Sequence, residues 1–200
     1  MGRTPVNKSR IDNRSKQLEI ANLLSPVFFE QGFSSFSTED ICAIAKKSKA
    51  TIYKYFSSKG DMISFITSQK LEEIRLFAPK LADETLPYSE RYKQAVNVAI
   101  ESFGGISYQF LKDLKTEFLE LFDLLINLKD ISITLLRDFY QSGINAGEFR
   151  NLNPELLSAN DDLFFTAILE TDFLSDKTYS IQELFNNYFR ARFQGILLSN

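Results

Sequence analysis

The sequence contains no histidine, a single cysteine and no long apolar run among its 200 residues. The absence of histidine excludes histidine-based general base catalysis and histidine ligation of a metal. Cys42 has no partner for an intrachain disulfide and no histidine to activate it as a nucleophile. No stretch of about 18 apolar residues is present to span a membrane, and no glycine-rich phosphate loop appears. We therefore expect no enzyme, no cofactor, no metal site and no membrane partner.

What the sequence does contain is an uneven distribution of charge. Residues 1–60 hold ten Lys and Arg against five Asp and Glu, whereas residues 61–200 hold thirteen against twenty-one. A basic segment attached to an acidic body is typical of a protein in which one module meets a polyanion, although an ordinary solvated charged face is the alternative. The polar N-terminus has no apolar segment behind it, so we expect no signal peptide and a cytoplasmic location.

The basic segment is predicted to contain three helices. Residues 1–13 lack periodicity, which predicts a flexible basic arm. The apolar spacing of residues 14–31 predicts the first helix, and Pro26 predicts a kink or a break within it. Ser37 opens a second helix with the spacing of a capping box, and Ser48 caps a third. A short turn between the second and third helices makes this a helix-turn-helix over residues 14–60.

The rest of the chain, residues 61–200, also has helical periodicity and no sustained strand alternation. A helix over residues 58–78 is predicted to link this body to the basic segment. Further helices are predicted over residues 88–103, 107–117, 118–146, 154–174 and 180–198. The fold class is therefore all-α, with an N-terminal helix-turn-helix domain and a larger C-terminal helical domain.

The third helix and the residues that follow it contain, at fixed spacing, Ser48, Ala50, Thr51, Ile52, Tyr53, Tyr55, Phe56 and Lys59. This segment resembles the signature of the tetracycline-repressor (TetR) family of bacterial transcription regulators. Gly32-Phe33 and Ser37 with Ile41-Cys42 are similar to the family's first two helices. Gly143, Gly147, Glu148 and Phe149, followed by Asn153-Pro154-Glu155, are similar to its body. The chain departs from the pattern at Lys46-Lys47, where the family more often has Gly then Val, and a positive φ at Lys46 costs roughly 1 kcal/mol.

The resemblance implies a homodimer that pairs through its last two helices and binds double-stranded DNA and a small molecule. By helical position and by resemblance, Thr51, Tyr53, Tyr55 and Lys59 are expected phosphate contacts. Ser37 joins them, and Lys49, Ala50 and Lys54 are placed for bases. As alternatives, Tyr55 packs in the core, Lys54 contacts only phosphate and Ser37 is only a cap.

Most of the 19 Phe fall in the body, where they predict a largely apolar ligand pocket. The pocket candidates are Phe103, Tyr108, Phe110, Phe122, Tyr140 and Phe164. The candidates for the dimer interface are Leu163, Phe164, Ala167, Phe185, Phe189 and Ile196. An intrachain core is the alternative for both sets.

The sequence thus favours a DNA-binding transcriptional regulator, most simply a ligand-responsive repressor that binds a palindromic operator as a dimer. A helix-turn-helix protein without a small-molecule response, regulated by a partner or binding DNA non-specifically, is the alternative.

Overall fold

The computed structural model describes the backbone of residues 8–197 and the side chains from residue 13 onward. Over this range the secondary structure is helical apart from one isolated bridge between Phe149 and Leu197, which confirms the all-α prediction. No helix in the described part of the chain has the length and apolarity to cross a membrane. The helices are α1 Lys8–Gln31, α2 Thr38–Ala45, α3 Lys49–Tyr55, α4 Lys59–Arg75, α5 Phe77–Leu81, α6 Tyr88–Phe103, α7 Tyr108–Glu117, α8 Leu119–Asn145, α9 Pro154–Leu169 and α10 Ile181–Ile196.

The structure differs from the sequence-based boundaries mainly at α1. This helix begins at Lys8, so residues 8–13 of the predicted arm are helical, and residues 1–7 lie outside the described residues. The helix also continues through Pro26, so of the predicted kink or break the break does not occur. Proline removes one backbone donor but not the packing of the helix face, and Leu24 and Phe28 on either side are fully buried.

The predicted helix 58–78 is divided into α4 and α5 at Leu76. Pro79, the residue directly after the predicted end at residue 78, is the third residue of α5. In the first turn of a helix the amide has no intrahelical partner, so a missing N–H costs little there.

The head, α1 to α3, forms one small core because each helix presents one apolar face. Ile41 of α2, Ile52 of α3 and Phe56 after α3 pack with Phe28 of α1, and none is more than 1% exposed. Serine hydroxyls fix where α2, α3 and α4 begin, since Ser37, Ser48 and Ser58 each accept a hydrogen bond from the amide three residues on.

The body, α5 to α10, packs α8 along α9 and α10 against α6. Its aromatic side chains interleave, as in the edge-to-face pair of Phe103 and Phe185 with ring centroids 4.7 Å apart. Helix α4 contacts α1 in the head and both α6 and α8 in the body. It is therefore a continuous rigid connection between the two parts.

Candidate nucleic-acid interface

The helix-turn-helix presents α3 with one buried and one open face. Ile52 is fully buried against the head, whereas Lys49, Ala50 and Lys54 are exposed. These three are the residues predicted to reach base edges. The structure therefore leaves on the surface of α3 the two ammonium groups and the small side chain that a major-groove contact needs.

The predicted phosphate contacts lie around this open face, and several are held by hydrogen bonds. Tyr53 is half-buried and its hydroxyl lies 3.3 Å from Oγ1 of Thr38 at the start of α2. The hydroxyl of Thr51 lies 2.9 Å from that of Ser48. Ser37 is exposed, and it forms both bonds of a capping box with Asp40. Thr38 was not predicted as a site residue, although its position beside the Ser37 cap marks it as a surface hydroxyl next to Tyr53.

Tyr55 and Lys59 differ from the others because Tyr55 packs on the core of the head and Lys59 bonds to the loop before α2. The ring of Tyr55 is half-buried against the core, and its carbonyl accepts from Gln17 of α1 at 2.9 Å. The ammonium of Lys59 donates to the backbone carbonyls of Phe36 and Ser34. Tyr55 therefore contacts α1, and Lys59 contacts the loop before α2.

The turn between α2 and α3 is closed by Lys46 in a left-handed conformation, with φ 50° and ψ 42°. The amides of Lys46 and Lys47 donate to the carbonyls of Ala43 and Cys42, which satisfies the end of α2. The turn therefore has the geometry of a helix-turn-helix although a lysine occupies the position that favours glycine.

An ion pair joins this turn to α1. The ammonium of Lys47 lies 2.7 Å from Glu19, which also pairs with Lys16 at 2.8 Å. Hydrogen bonds from Lys16 and then Lys47 lower the pKa of Glu19 from 4.5 to about 2. Glu19 therefore stays ionised and pairs with the Lys47 ammonium beside the turn.

The body contains an apolar cavity of about 50 Å³ between α4, α5, α6, α8, α9 and α10. Its polar lining is confined to Lys129, Ser132 and the hydroxyl-bearing Tyr92. The ammonium of Lys129 is bonded to Asp162 and Glu170 at 2.9 and 3.0 Å. Burial lowers the pKa of Lys129, but the hydrogen bonds that its ammonium donates to these carboxylates outweigh burial and raise it. The apolar wall includes Ile74, Phe77, Ala99, Phe103, Leu125, Phe165 and Phe189.

Of the six predicted pocket residues, Phe103 lines this cavity and the other five lie elsewhere. Phe110 packs on Phe29 and Phe33 of the head, and Phe122 lies beneath the ammonium of Lys115. Tyr108 donates to Asp172 at 2.6 Å on the surface. Phe164 stacks on Tyr188 with ring centroids 3.9 Å apart. Sequence periodicity gives the buried face of a helix but not which buried residues border an empty space.

Tyr140 belongs to a buried polar network behind the cavity. Its hydroxyl donates to Asp161 at 2.7 Å, and Asp161 also accepts from Tyr188 and Arg192. Burial, then the neighbouring Tyr92 and Asp161, raises the pKa of Tyr140, so this hydroxyl remains a donor. The hydroxyl oxygen of Tyr92, which lines the cavity, lies 3.5 Å from the hydroxyl oxygen of Tyr140.

The predicted dimer residues divide into two groups. Phe185, Phe189 and Ile196 are at most 3% exposed within the single chain, where they form its core. Leu163 is 68% exposed, and Phe164 and Ala167 are half-buried. Leu156, Asn160 and Leu163 on α9 and Ala191 and Gly195 on α10 are exposed, as is Leu152 just before α9.

Fold and surface together define a helix-turn-helix transcriptional regulator with a helical body. Residues 26–64 match the family model described as bacterial regulatory proteins, tetR family. These residues span the end of α1, all of the helix-turn-helix and the start of α4. Over this segment the chain is similar to the TetR family of regulators.

Solved structures of similar fold cover almost the whole chain. A TetR-family transcriptional regulator from Agrobacterium tumefaciens is 19% identical with a TM-score of 0.64, covering 93% of this chain and 100% of its own. The ketosteroid regulator KstR2 of Mycobacterium tuberculosis is 18% identical with a TM-score of 0.62, covering 92% and 96%. A putative regulator from Saccharomonospora viridis, solved in complex with choline, is 16% identical with a TM-score of 0.65, covering 93% and 100%. A search among curated proteins found no match.

Proposed function

We propose that this regulator is a ligand-responsive repressor that binds a palindromic operator as a homodimer. The observation that carries the proposal is the path of α4. The helix begins at Lys59, whose side chain supports the loop before α2, and Ile74 near its end forms part of the cavity wall. A change in the cavity is therefore transmitted to the DNA-binding head through one continuous helix.

The operator proposal follows from the open face of α3. Lys49 and Lys54 each place a flexible ammonium on that face, and an ammonium donates to guanine O6 or N7 in the major groove. Two heads related by a two-fold axis read two half-sites in opposite orientation, about 34–36 Å apart for one turn of DNA. A palindrome is the sequence that such a dimer recognises.

The homodimer proposal follows from the open surface of α9 and α10. Leu156 and Leu163 are 65% and 68% exposed and seven residues apart, so they lie on one side of α9. Beside them, Ala191 and Gly195 on α10 border a groove, and a Cβ at Gly195 would meet no atom within 4 Å. When a second copy packs in the opposite direction, the large side chains of each copy fill the groove that small residues border on the other.

The ligand proposal follows from the lining and the size of the cavity. Its lining is apolar, and the ammonium of Lys129 is already bonded to carboxylates, which favours a largely apolar effector. Pockets that bind drug-sized molecules are typically about 300–1,000 Å³, far more than the 50 Å³ found here. Such a ligand therefore has to separate the walls, including Ile74 of α4 and Phe77 of α5, and this movement changes the spacing of the heads.

The small cavity is also the observation that favours the second candidate function. A helix-turn-helix regulator with no small-molecule response needs no ligand space, and a cavity of this volume is compatible with ordinary packing of a large aromatic core. That protein would bind the same operator but respond to a protein partner or to none.

The first experiment is selection of DNA by the purified full-length protein from a random pool at about 150 mM salt. A palindromic motif supports a dimeric, sequence-specific regulator. Binding without a motif contradicts it and supports a non-specific role. Leu163→Glu should leave the fold intact but give monomers with weak operator binding, and a Leu163→Glu variant that remains dimeric would disprove the proposed interface.

The ligand response is tested on the selected operator with a matched pair of variants. Ala99→Phe places a ring in the cavity wall, whereas Asn97→Phe places the same ring on the exposed side of α6. Apolar compounds that release the wild-type protein from DNA should also release Asn97→Phe but not Ala99→Phe. Equal release of both variants would show that the effector site lies elsewhere.

A further inference from the structure

Asp113 lies on α7 of the body, yet its carboxylate is bonded to the backbone of the head. Oδ2 accepts from the amides of Phe33 and Ser34 at 2.7 and 2.9 Å. Oδ1 accepts from the side chain of Gln109 at 2.6 Å, and Asp113 is 5% exposed. Hydrogen bonds to a buried carboxylate are shorter and stronger than those between neutral groups. Asp113 therefore forms a specific hydrogen-bonded contact between the body and the head.

The segment that Asp113 holds, residues 33–36, leads directly to the N-cap of α2. Its amides point to Asp113, and its carbonyls at Ser34 and Phe36 accept from the ammonium of Lys59 at 3.3 and 2.8 Å. The segment is thus fixed between a carboxylate from the body and an ammonium at the start of α4. The position of α2, and of α3 packed on it, depends on both.

Gly32 shows how closely the two parts approach. It ends α1 with φ +78°, and a Cβ added there would lie 2.5 Å from Oδ2 of Asp113 and 2.7 Å from Cγ of Gln109. A side chain at this position would push α7 away from the head. Glycine is therefore required by the interdomain contact as well as by the backbone conformation.

Two further contacts surround the carboxylate. The amide of Ser107, which caps α7, donates to the carbonyl of Phe29 at 2.8 Å. The ring of Phe118, after α7, packs on Phe33 with centroids 5.6 Å apart. Helix α7 thus contacts the head at its beginning, in its middle and at its end.

The opposite side of α7 reaches the neighbourhood of the cavity. Lys115 donates to the carbonyl of Glu170 at 3.0 Å. Leu169, the preceding residue and the last of α9, lines the cavity. A displacement of the cavity wall at Leu169 is therefore passed to α7, and from α7 to the head through Asp113.

We propose that Asp113 is a positioning residue that sets the orientation of the DNA-binding head on the body, by a route separate from α4. Its effect on operator spacing rests on the proposed function above. Its effect on head orientation does not, because the contact lies within one chain.

The test measures the distance between head and body directly. Spin labels are placed at exposed positions by Glu39→Cys on α2 and Gln141→Cys on α8, in a full-length Cys42→Ser background diluted with unlabelled protein. We expect Asp113→Ala to shift or broaden the distance distribution, Asp113→Asn to do so less because its amide oxygen still accepts, and exposed Lys112→Ala on the same helix to leave it unchanged.

A distribution that is unchanged in Asp113→Ala overturns the proposal, even if the melting temperature falls, because a merely structural residue would lower stability without moving the head. If Asp113→Ala does not fold, Gly32→Ala decides instead. In that variant the added methyl group, which belongs to the head, separates the same contact. An unchanged distance distribution in Gly32→Ala also overturns the proposal.

DNA binding gives a second measurement. The quantity measured is the ratio of the affinity for the selected operator to the affinity for an operator with one base pair inserted between the half-sites. This ratio should be about tenfold smaller for Asp113→Ala than for wild type. Its affinity for a single half-site should be unchanged, and a full spacing preference would contradict the role. If the wild type selects no palindrome, the proposed function fails, and the distance measurement still decides the role of Asp113.

Discussion

The ammonium of Lys59 donates to the carbonyl oxygen of Phe36 at 2.8 Å, across the loop that precedes α2. An ammonium has three donors, and the carbonyl of Ser34 accepts a second, so one donor remains for a DNA phosphate. Lys59 therefore fixes the loop and keeps one donor for the proposed phosphate contact.

Lys59→Ala should weaken binding to every DNA sequence and reduce the slope of log affinity against log salt by about one. The control is Lys80→Ala, which removes the same charge at an exposed position of α5. Affinity is measured by titration over a range of salt concentrations. If affinity falls but the slope equals that of the control, Lys59 supports the loop and does not contact phosphate.

Lys54→Ala should change which bases are preferred. Lys54 is exposed on α3, and a good base contact discriminates by about 1–3 kcal/mol. Tyr53→Ala, which removes an expected phosphate contact on the same helix, should weaken all sequences alike. Selection from a random DNA pool with each variant checks both expectations. A uniform loss in Lys54→Ala would assign this lysine to phosphate.

The sequence predicted the helices well because their signals are local. The serine caps at positions 37, 48 and 58 and the apolar face of each helix are properties of a few neighbouring residues. Pro26 does not break α1, because the packing of Leu24 and Phe28, which keeps the helix continuous, involves residues distant in sequence.

The exposure of the candidate site residues was predictable only where a motif or a helix face fixes it, as for Lys49, Ala50 and Lys54. Apolar periodicity identified Phe185 and Phe189 as inward-facing. It did not show whether they meet their own chain or a second copy. The contact of Asp113 with Phe33, 80 residues away, has no sequence signal at all.

The ion pairs of Glu19 should make stability depend on pH. The folded pKa of about 2 lies below the ordinary value of 4.5. Its contribution is therefore present above about pH 5 and is lost as the pH falls toward 2. Glu19→Gln should be less stable than wild type at neutral pH, with a difference that shrinks on acidification and in high salt.

Urea unfolding at several pH values measures this difference. Glu30→Gln, an exposed change of the same charge on the same helix, is the control and should show no such loss. A difference between wild type and Glu19→Gln that stays constant from neutral to acid pH would contradict the role of the ion pairs.

Asp161→Ala should strongly destabilise the body. Asp161 is fully buried and accepts from Tyr140, Tyr188 and Arg192. Removing one partner of a buried pair leaves an uncompensated charge and costs about 3–5 kcal/mol. The control is Asp138→Ala, whose exposed pair with Arg137 is worth about 1 kcal/mol or less. Similar losses in both variants, measured by urea unfolding, would show that the buried network contributes little.

Lys46→Gly should stabilise the head. A side chain in the left-handed conformation costs about 1–2 kcal/mol, while glycine loses about 0.5–1 kcal/mol of extra chain entropy on folding. The expected gain is therefore a few tenths to about 1 kcal/mol, or up to about 2–4 °C in melting temperature for a chain of this size. Lys46→Ala keeps the Cβ and removes the same charge, so it should show no gain. A stabilisation shared by both variants would instead assign the effect to charge repulsion between Lys46 and the neighbouring lysines, and the family's glycine at this position would then have a cause other than backbone strain.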